Sequence, residues 1–349
     1  MNRYTAIGLM SGTSLDGVDI ACCRFEYNAG KWEYDIIDAT TVEYSDEWKN
    51  RLVNSMKSDA ESLTLLNIEY GHYLGKLAND FIKKYGYTPD IISSHGHTVF
   101  HQPEKKLTLQ IGDGAAIAAV TGITTVCDFR STDVALGGQG APLVPIGDKL
   151  LFSDYDYCIN IGGIANISYE DKGKRIAYDI CPANMALNYL SEKRRQKFDA
   201  DGRMAATGNS DENLLSELNS LKYYNLNPPK SLGKEWVFDS FISIIEKHSV
   251  SVEDLLNTVT EHIAEQISTI LQKPGKALIT GGGANNTFLI NRIKEKSKTE
   301  IVIPDRTLID FKEALIFAFM GVLRLRNETN IFSSVTGARK DHCGGAVYI

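Results

Sequence analysis

The chain predicts an α/β protein made of two related halves. Two observations carry that expectation. Strand-like and helix-like stretches alternate along its 349 residues, the pattern of α/β folds. A strand, a glycine turn and a second strand open the chain, and the same pattern returns at "YDYCINIGGIANISYE", residues 155–170. The recurrence is one of pattern, not of residues, and it points to a duplicated fold.

The elements follow in order. "YTAIGLM" and "VDIACCRFEY" read as strands around a small, polar turn, and "KWEYDIIDATTVEY" alternates as a third strand. Residues 51–85 read as largely helical, with Leu66, Tyr70, Tyr73, Leu74, Leu77 and Phe81 at helical spacing and Gly86 as the terminating glycine. "DIISSHGHTVF" is a short apolar strand running into a histidine-bearing end that places His95 and His97 on one side. "GDGAAIAAVTG" is a short helix and "ITTVCDF" a strand. In the second half, "RIAYDICPANMALNYLSEK" is a strand ending at Asp179 and Ile180, a turn at Pro182 and a helix from near Asn184. Residues 252–272 form a long helix. "KALITGGGANN" is a strand entering a triple-glycine turn, with helices over "TFLINRIKEKSK" and "FKEALIFAFMGVLRLR" beyond it. The Gly- and Pro-rich stretch "ALGGQGAPLVPIGDKLLF" marks the best domain boundary. It divides 1–145, an α/β domain with the first hairpin, from 146–349, which holds the second hairpin and the triple-glycine turn. A return of the C-terminal tail to the first domain is left open.

Composition narrows the function. Hydrophobic residues at 43% and charged residues at 23% describe an ordinary globular protein. A formal net charge of -7 argues against nucleic acid as a partner; the basic run "EKRRQK", residues 192–197, reads as a solvated helix end. No apolar stretch is long enough to span a bilayer, and the first residues lack the apolar segment of a secretory signal. The six cysteines, without a C-x-x-C pair, read as buried free thiols of a reduced, cytoplasmic protein.

Three glycine turns follow strands: around Gly12, at Gly162 and Gly163, and at Gly281 to Gly283. Any one alone is adequately explained by tight-turn geometry. Together they can bring backbone N–H groups close to an anion, with Thr13 and Ser14 adding hydroxyl donors. No G-x-x-x-x-G-K-[ST] is present, and no G-x-G-x-x-G opens a helix. Phosphate is therefore expected at hairpin tips instead of at a helix N-terminus.

This arrangement resembles the actin, hexokinase and heat-shock-chaperone ATPase superfamily. More closely, "GLMSGTSLDGVD" resembles the signature of the anhydro-N-acetylmuramic acid kinases. "SSHGHTVFH", "LQIGDG", "DFRSTDVALGGQGAPLVP", "NIGGIANIS", "PPKSLGKEW", "TGGGANN", "KEALIFAF" and "SVTGA" follow in that family's order, over nearly the whole chain. The resemblance implies two duplicated ribonuclease-H-like domains with a nucleotide cleft between them. It implies an enzyme that uses ATP, Mg²⁺ and water to open the 1,6-anhydro ring of a muramyl sugar and phosphorylate O6, giving N-acetylmuramic acid 6-phosphate in peptidoglycan recycling. The implied partner is this small sugar, with neither nucleic acid nor membrane, and the expected assembly is a homodimer.

The resemblance also implies site residues. Asp179 is the expected base that activates water. Gly12, Thr13, Ser14, Asp16, Gly17, Asp19, Gly162, Gly163, Gly281, Gly282 and Gly283 are expected at ATP, with Mg²⁺ reached through Asp16 or Asp19. His97, Thr98, Arg130, Asn184 and Glu313 are expected at the sugar, where the guanidinium of Arg130 suits the two-pronged pairing of the lactyl carboxylate. Two departures stand out. The family's D-T-G-P-G-N is here Asp179-Ile180-Cys181-Pro182-Ala183-Asn184, and His97 stands where the family's H-G-Q-T carries glutamine.

Three rivals remain. His95, His97 and His101, with Asp113 or Asp128, could make a hydrolytic metal site. The same nucleotide cradle serves actin-like polymers and chaperones. A sister sugar kinase with another substrate would also suit the altered Asp179 loop.

Overall fold

The computed structural model describes residues 2–12 and 15–349. In chain order its strands are β1 (Arg3–Met10), β2 (Gly17–Asn28), β3 (Lys31–Glu43), β4 (Ile91–Ser94), β5 (His97–Gln102), β6 (Leu107–Ile111), β7 (Thr125–Cys127), β8 (Tyr157–Ile161), β9 (Ile164–Asp171), β10 (Lys174–Pro182), β11 (Lys276–Thr280), β12 (Glu300–Val302) and β13 (Ala346–Tyr348). The chain divides into two compact units, Met1–Leu151 with Phe311–Ile349, and Phe152–Asp310.

The first unit holds a six-stranded sheet in the order β13-β7-β4-β1-β2-β3. β1, β2 and β3 form an antiparallel meander, and β4 and β7 continue parallel to β1. The second unit holds the order β10-β9-β8-β11-β12, again an antiparallel meander followed by two parallel strands. The two sheets therefore match in order and direction, which is the duplication expected from the recurring hairpins.

Helices cover the sheets, and the central strands β1 and β4 of the first are buried on both faces. In the first unit Ile7, Leu9, Val18 and Ile20 share a core with Tyr70, Leu74 and Phe81 of the helix Ala60–Tyr85. Asp59 accepts the Ser62 N–H at 2.9 Å to start that helix, and Gly86, left-handed at φ 72°, closes it. The helix expected over 51–85 is thus two. Ser45 caps Asp46–Asn54, and the caps at Ser45 and Asp59 divide what apolar spacing alone joins. In the second unit Ile159, Ile161 and Ile167 pack with Val259 and Ile263 of the helix Val252–Ile270 and with Leu289 and Ile293 of Thr287–Lys296.

The C-terminal segment is part of the first unit. β13 pairs antiparallel with β7, Val347 opposite Val126. Lys312, on the helix Arg306–Leu325, meets Asp148 at 2.7 Å in a buried ion pair. That pair ties Pro145–Leu150 to the first unit, which runs on to Leu151, past the boundary expected at 145.

Two further differences bear on function. β4 stops at Ser94, and His97 opens a separate two-stranded sheet, β5 with β6. Gly96 lies between them at φ 72°, where a Cβ would run into the Ile111 carbonyl, so His95 and His97 do not share one strand. β10 runs on to Pro182, with a bulge between Asp179 and Cys181 instead of an end at Asp179. All six cysteines are free. Within "EKRRQK", Lys193 pairs with Glu246 and Arg194 with Glu253, as a solvated helix end would.

Candidate active site

In the first unit, β1 and β2 run in register up to Met10 opposite Asp19. Of the residues expected at ATP, Thr13 and Ser14 lie outside the described residues. Gly12 is half-buried, Asp16 exposed and Gly17 buried. Asp19 is half-buried and accepts a hydrogen bond from the Thr41 hydroxyl at 2.6 Å. Ser11, just before the turn, is anchored from behind. Its Oγ lies 2.6 Å from Tyr44 Oη and 3.2 Å from His97 Nδ1, and Tyr44 Oη also bonds Tyr70 Oη. Burial pushes both tyrosines up and His97 down to about 4, so at neutral pH this run of groups is uncharged. His97, expected at the sugar, therefore has one ring nitrogen on the start of the first hairpin. Thr98 accepts a hydrogen bond from Gln110 Nε2 at 3.3 Å.

Arg130 sits among neutral groups. Its Nε and Nη2 lie 3.1 and 2.8 Å from His95 Nε2, and its Nη1 donates to the Gly140 carbonyl at 2.5 Å. Among the described residues, no carboxylate lies within ion-pairing distance of it. Burial pulls its pKa down to about 10, opposed by the more distant charges of Glu313 and Asp133. Glu313 is exposed to water yet crowded by surrounding protein. That crowding raises its carboxyl pKa, against the lowering field of Arg130.

His95 cannot serve a metal in this arrangement. Its Nδ1 lies 2.9 Å from the Gly96 carbonyl, which only accepts, and its Nε2 faces an arginine, which only donates. Both ring nitrogens are spent. Among the described residues, no group of three or more His, Cys, Asp or Glu side chains is placed to hold a metal ion. The hydrolytic metal site is thus overturned at its first ligand.

In the second unit, Asp179 stands at the bulge in β10, a device that re-aims a side chain. The neighbouring segment straps it down. Its N–H donates to the Lys230 carbonyl at 3.2 Å, its carbonyl accepts from Tyr223 Oη at 2.6 Å, and its Oδ2 accepts the Leu232 N–H at 2.9 Å. Among the described residues Oδ1 has no hydrogen-bond donor and no cation pairs with the carboxylate. Burial raises its pKa, with the Leu232 N–H pulling the other way. Lys230 lies over the Tyr223 ring at 4.6 Å and donates to the Tyr223 carbonyl at 3.2 Å.

The other two glycine turns meet beside Asn184. The carbonyls of Gly162 and Gly163 accept the N–H groups of Asn184, Ala183 and Met185 at 2.9–3.1 Å. Among the described residues, the N–H groups of the two glycines donate to no backbone carbonyl outside their strands. Gly281 and Gly283 pack so tightly on Asn160 and Ile161 that a Cβ on either would collide. Asn184 Nδ2 donates to the Ile161 carbonyl at 3.1 Å, and a Cβ on Gly282 would lie 3.5 Å from that same nitrogen. The structure thus brings Asn184, Gly162, Gly163 and Gly281 to Gly283 together. It also explains the altered loop: Ile180, Cys181 and Ala183 are 3%, 0% and 0% exposed, inside the core of the unit. The departures from the family pattern are core residues, flanked by the retained Asp179 and Asn184.

Sequence reasoning missed Tyr223, Lys230 and Leu232 as the holders of Asp179. The string "PPKSLGKEW" was the available signal, but no spacing links it to residue 179.

A duplicated sheet of this order, with glycine hairpins and a strand-borne carboxylate, is the architecture expected of a kinase built from two repeated α/β units. The family model for anhydro-N-acetylmuramic acid kinase matches residues 4–349, and the chain belongs to that family. The anhydro-N-acetylmuramic acid kinase of Hydrogenovibrio crunogenus is 35% identical over 98% of this chain and 97% of that one. That of Vibrio cholerae is 35% identical over 99% and 98%. The solved activator of the 2-hydroxyisocaproyl-CoA dehydratase from Clostridium difficile, with bound ADPNP, covers 91% of this chain and 94% of its own at 13% identity and a TM-score of 0.44. The chain is accordingly a sugar kinase of peptidoglycan recycling that uses ATP. No helix among the described residues is long and apolar enough to cross a membrane.

Proposed function

We propose that Asp179 is the base of a coupled hydrolysis and phosphoryl transfer on 1,6-anhydro-N-acetylmuramic acid. Its carboxylate takes a proton from water as the water oxygen attacks the anomeric carbon. The bond from that carbon to O6 breaks, and O6 takes the γ-phosphoryl group of ATP, leaving ADP and N-acetylmuramic acid 6-phosphate. The observation that carries this reading is the carboxylate itself: one oxygen held by the Leu232 N–H, the other without a protein donor among the described residues, and no cation beside it. Such a group keeps its basicity and has an oxygen for water.

Gly12, Thr13, Ser14, Asp16, Gly17 and Asp19 of the first unit, and Gly162, Gly163 and Gly281 to Gly283 of the second, are assigned to ATP. The carboxylates of Asp16 and Asp19 suit Mg²⁺, which commonly takes one or two protein carboxylates and otherwise water and phosphate oxygens. Mg²⁺, when bound, supplies neutralisation of phosphate charge. Arg130, whose charge meets no carboxylate at ion-pairing distance among the described residues, is assigned to the lactyl carboxylate. His97, Thr98, Asn184 and Glu313 complete the sugar-side assignment. The burial of Ile180, Cys181 and Ala183 favours the anhydro sugar over another substrate, because none of the three changed side chains is exposed to meet it.

The test is to incubate the protein with ATP, Mg²⁺ and the anhydro sugar in heavy-oxygen water. The heavy atom is expected on the anomeric hydroxyl of the 6-phosphate product and not on its phosphate. Label on the phosphate, or an unphosphorylated product, would overturn the proposal.

The raised pKa of Asp179 should put the acid limb of kcat/KM above 3.8, the ordinary value for this carboxyl, because the base works only when ionised. A limb at or below that value would count against it. Arg130→Lys keeps a charge but loses the planar fork, so the KM for the sugar should rise roughly tenfold while the KM for ATP stays put. A homodimer in the cytoplasm is also proposed. Exposed Val53, Met56, Leu65 and Ile68 offer apolar surface for an interface, and free thiols suit a reducing compartment. Sedimentation at twice 38.6 kDa would bear out the dimer.

A further inference from the structure

We propose that His95 is a positioning residue, which aims the guanidinium of Arg130 so that its remaining N–H groups receive the carboxylate of the sugar. The inference rests on the assignment of Arg130 to that carboxylate and goes beyond it.

A guanidinium has five N–H donors. In Arg130 the Nε and Nη2 edge faces His95 Nε2, at 3.1 and 2.8 Å, and one Nη1 proton goes to the Gly140 carbonyl. One N–H remains on each terminal nitrogen, a fork of the kind that grips a carboxylate. Both supports are themselves fixed. Gly140 donates its N–H at 2.7 Å to Asp133, a fully buried carboxylate that also accepts the Thr336 hydroxyl at 2.7 Å. His95 is 5% exposed, its ring lies 4.6 Å from that of Phe317, and its Nδ1 faces the Gly96 carbonyl at 2.9 Å.

The chemistry of these partners dictates the state of the ring. A carbonyl only accepts, so Nδ1 carries the proton. An arginine only donates, so Nε2 presents its lone pair. His95 is therefore neutral and of one tautomer. A carboxylate at this place would orient Arg130 equally well but would also neutralise it. A neutral imidazole orients the cation and leaves its charge for a ligand.

The test compares binding of two probes by calorimetry: 1,6-anhydro-N-acetylmuramic acid and 1,6-anhydro-N-acetylglucosamine, which lacks the lactyl carboxylate. The wild-type protein is expected to prefer the first. His95→Leu should reduce that preference roughly tenfold, through weaker binding of the carboxylate-bearing sugar and without change in the KM for ATP. His95→Gln, which keeps an acceptor on a longer arm, should regain part of it. Arg130→Ala should erase it. If His95→Leu keeps the full preference while Arg130→Ala loses it, the role of His95 is overturned and that of Arg130 stands. If Arg130→Ala keeps it, the underlying assignment fails. A measurement on the wild-type protein stands apart from how the variants fold. Nitrogen NMR of labelled histidine should find His95 protonated at Nδ1, and a proton at Nε2 would overturn the proposal.

Discussion

Asp179→Asn is expected to leave a folded protein that binds ATP and turns sugar over ~10²- to 10⁴-fold more slowly, the usual contribution of a positioned base. The change removes basicity and little else. An asparagine oxygen can still accept the Leu232 N–H, and the bonds from Tyr223 Oη and to the Lys230 carbonyl use the backbone of residue 179. Burial raises the Asp179 pKa, so its folded value lies above 3.8. Such a carboxyl contributes stability below the unfolded pKa, and that contribution is lost as pH rises through the folded value. At neutral pH the wild-type protein therefore carries the cost of a half-buried charge that the asparagine variant lacks. The variant should melt no lower than wild type at pH 7, and its advantage should shrink on acidification towards the ordinary carboxylate pKa. Turnover within a few-fold of wild type would remove Asp179 from the chemistry.

How much of this was legible in the sequence depends on how local each feature is. The duplicated order of the two sheets could be anticipated because strand, glycine hairpin and strand are contiguous at residues 4–27 and 155–170. The helix Ala60–Tyr85 was legible from its apolar spacing, yet its true start was hidden by a second cap at Asp59, which periodicity does not register. His95 and His97 were misread together because one glycine between them, left-handed at φ 72°, sends the chain out of one sheet and into another. At the site, Asp179 could be named from its string, but the strap around it could not. Tyr223, Lys230 and Leu232 are 44 or more positions away along the chain, and only the folded backbone brings them near. Arg130 was legible as a charge in "DFR". That a neutral histidine supports it was not, because tautomer and lone pair are consequences of the partners, not of the residue type.

Gly281→Ala is expected to harm both the fold and the use of ATP, and Gly162→Ala only the latter. Gly281 holds φ 81° and ψ 167°, a region open in practice to glycine alone, so a side chain there costs about 1–3 kcal/mol in backbone strain. A Cβ would also run into the Asn160 side chain and the Ile161 carbonyl, at the end of β8 where it enters Gly162 and Gly163. The turn cannot move away without disturbing Asn160 and Ile161, so strain in one is passed to the hairpin. Gly162 differs. Its φ is not in the left-handed region, and an added Cβ would meet only Asn160 Nδ2 at 3.4 Å and the Ile164 carbonyl at 3.5 Å. Gly162→Ala should therefore keep its stability within about 0.5 kcal/mol of wild type. If the glycine N–H groups approach phosphate, the methyl group should still raise the KM for ATP roughly tenfold by holding the anion off. Urea titrations and ATP kinetics on the two variants separate packing from binding. A lowered unfolding midpoint with an unchanged KM for ATP in Gly281→Ala, together with unchanged kinetics in Gly162→Ala, would make both turns structural and move the nucleotide elsewhere.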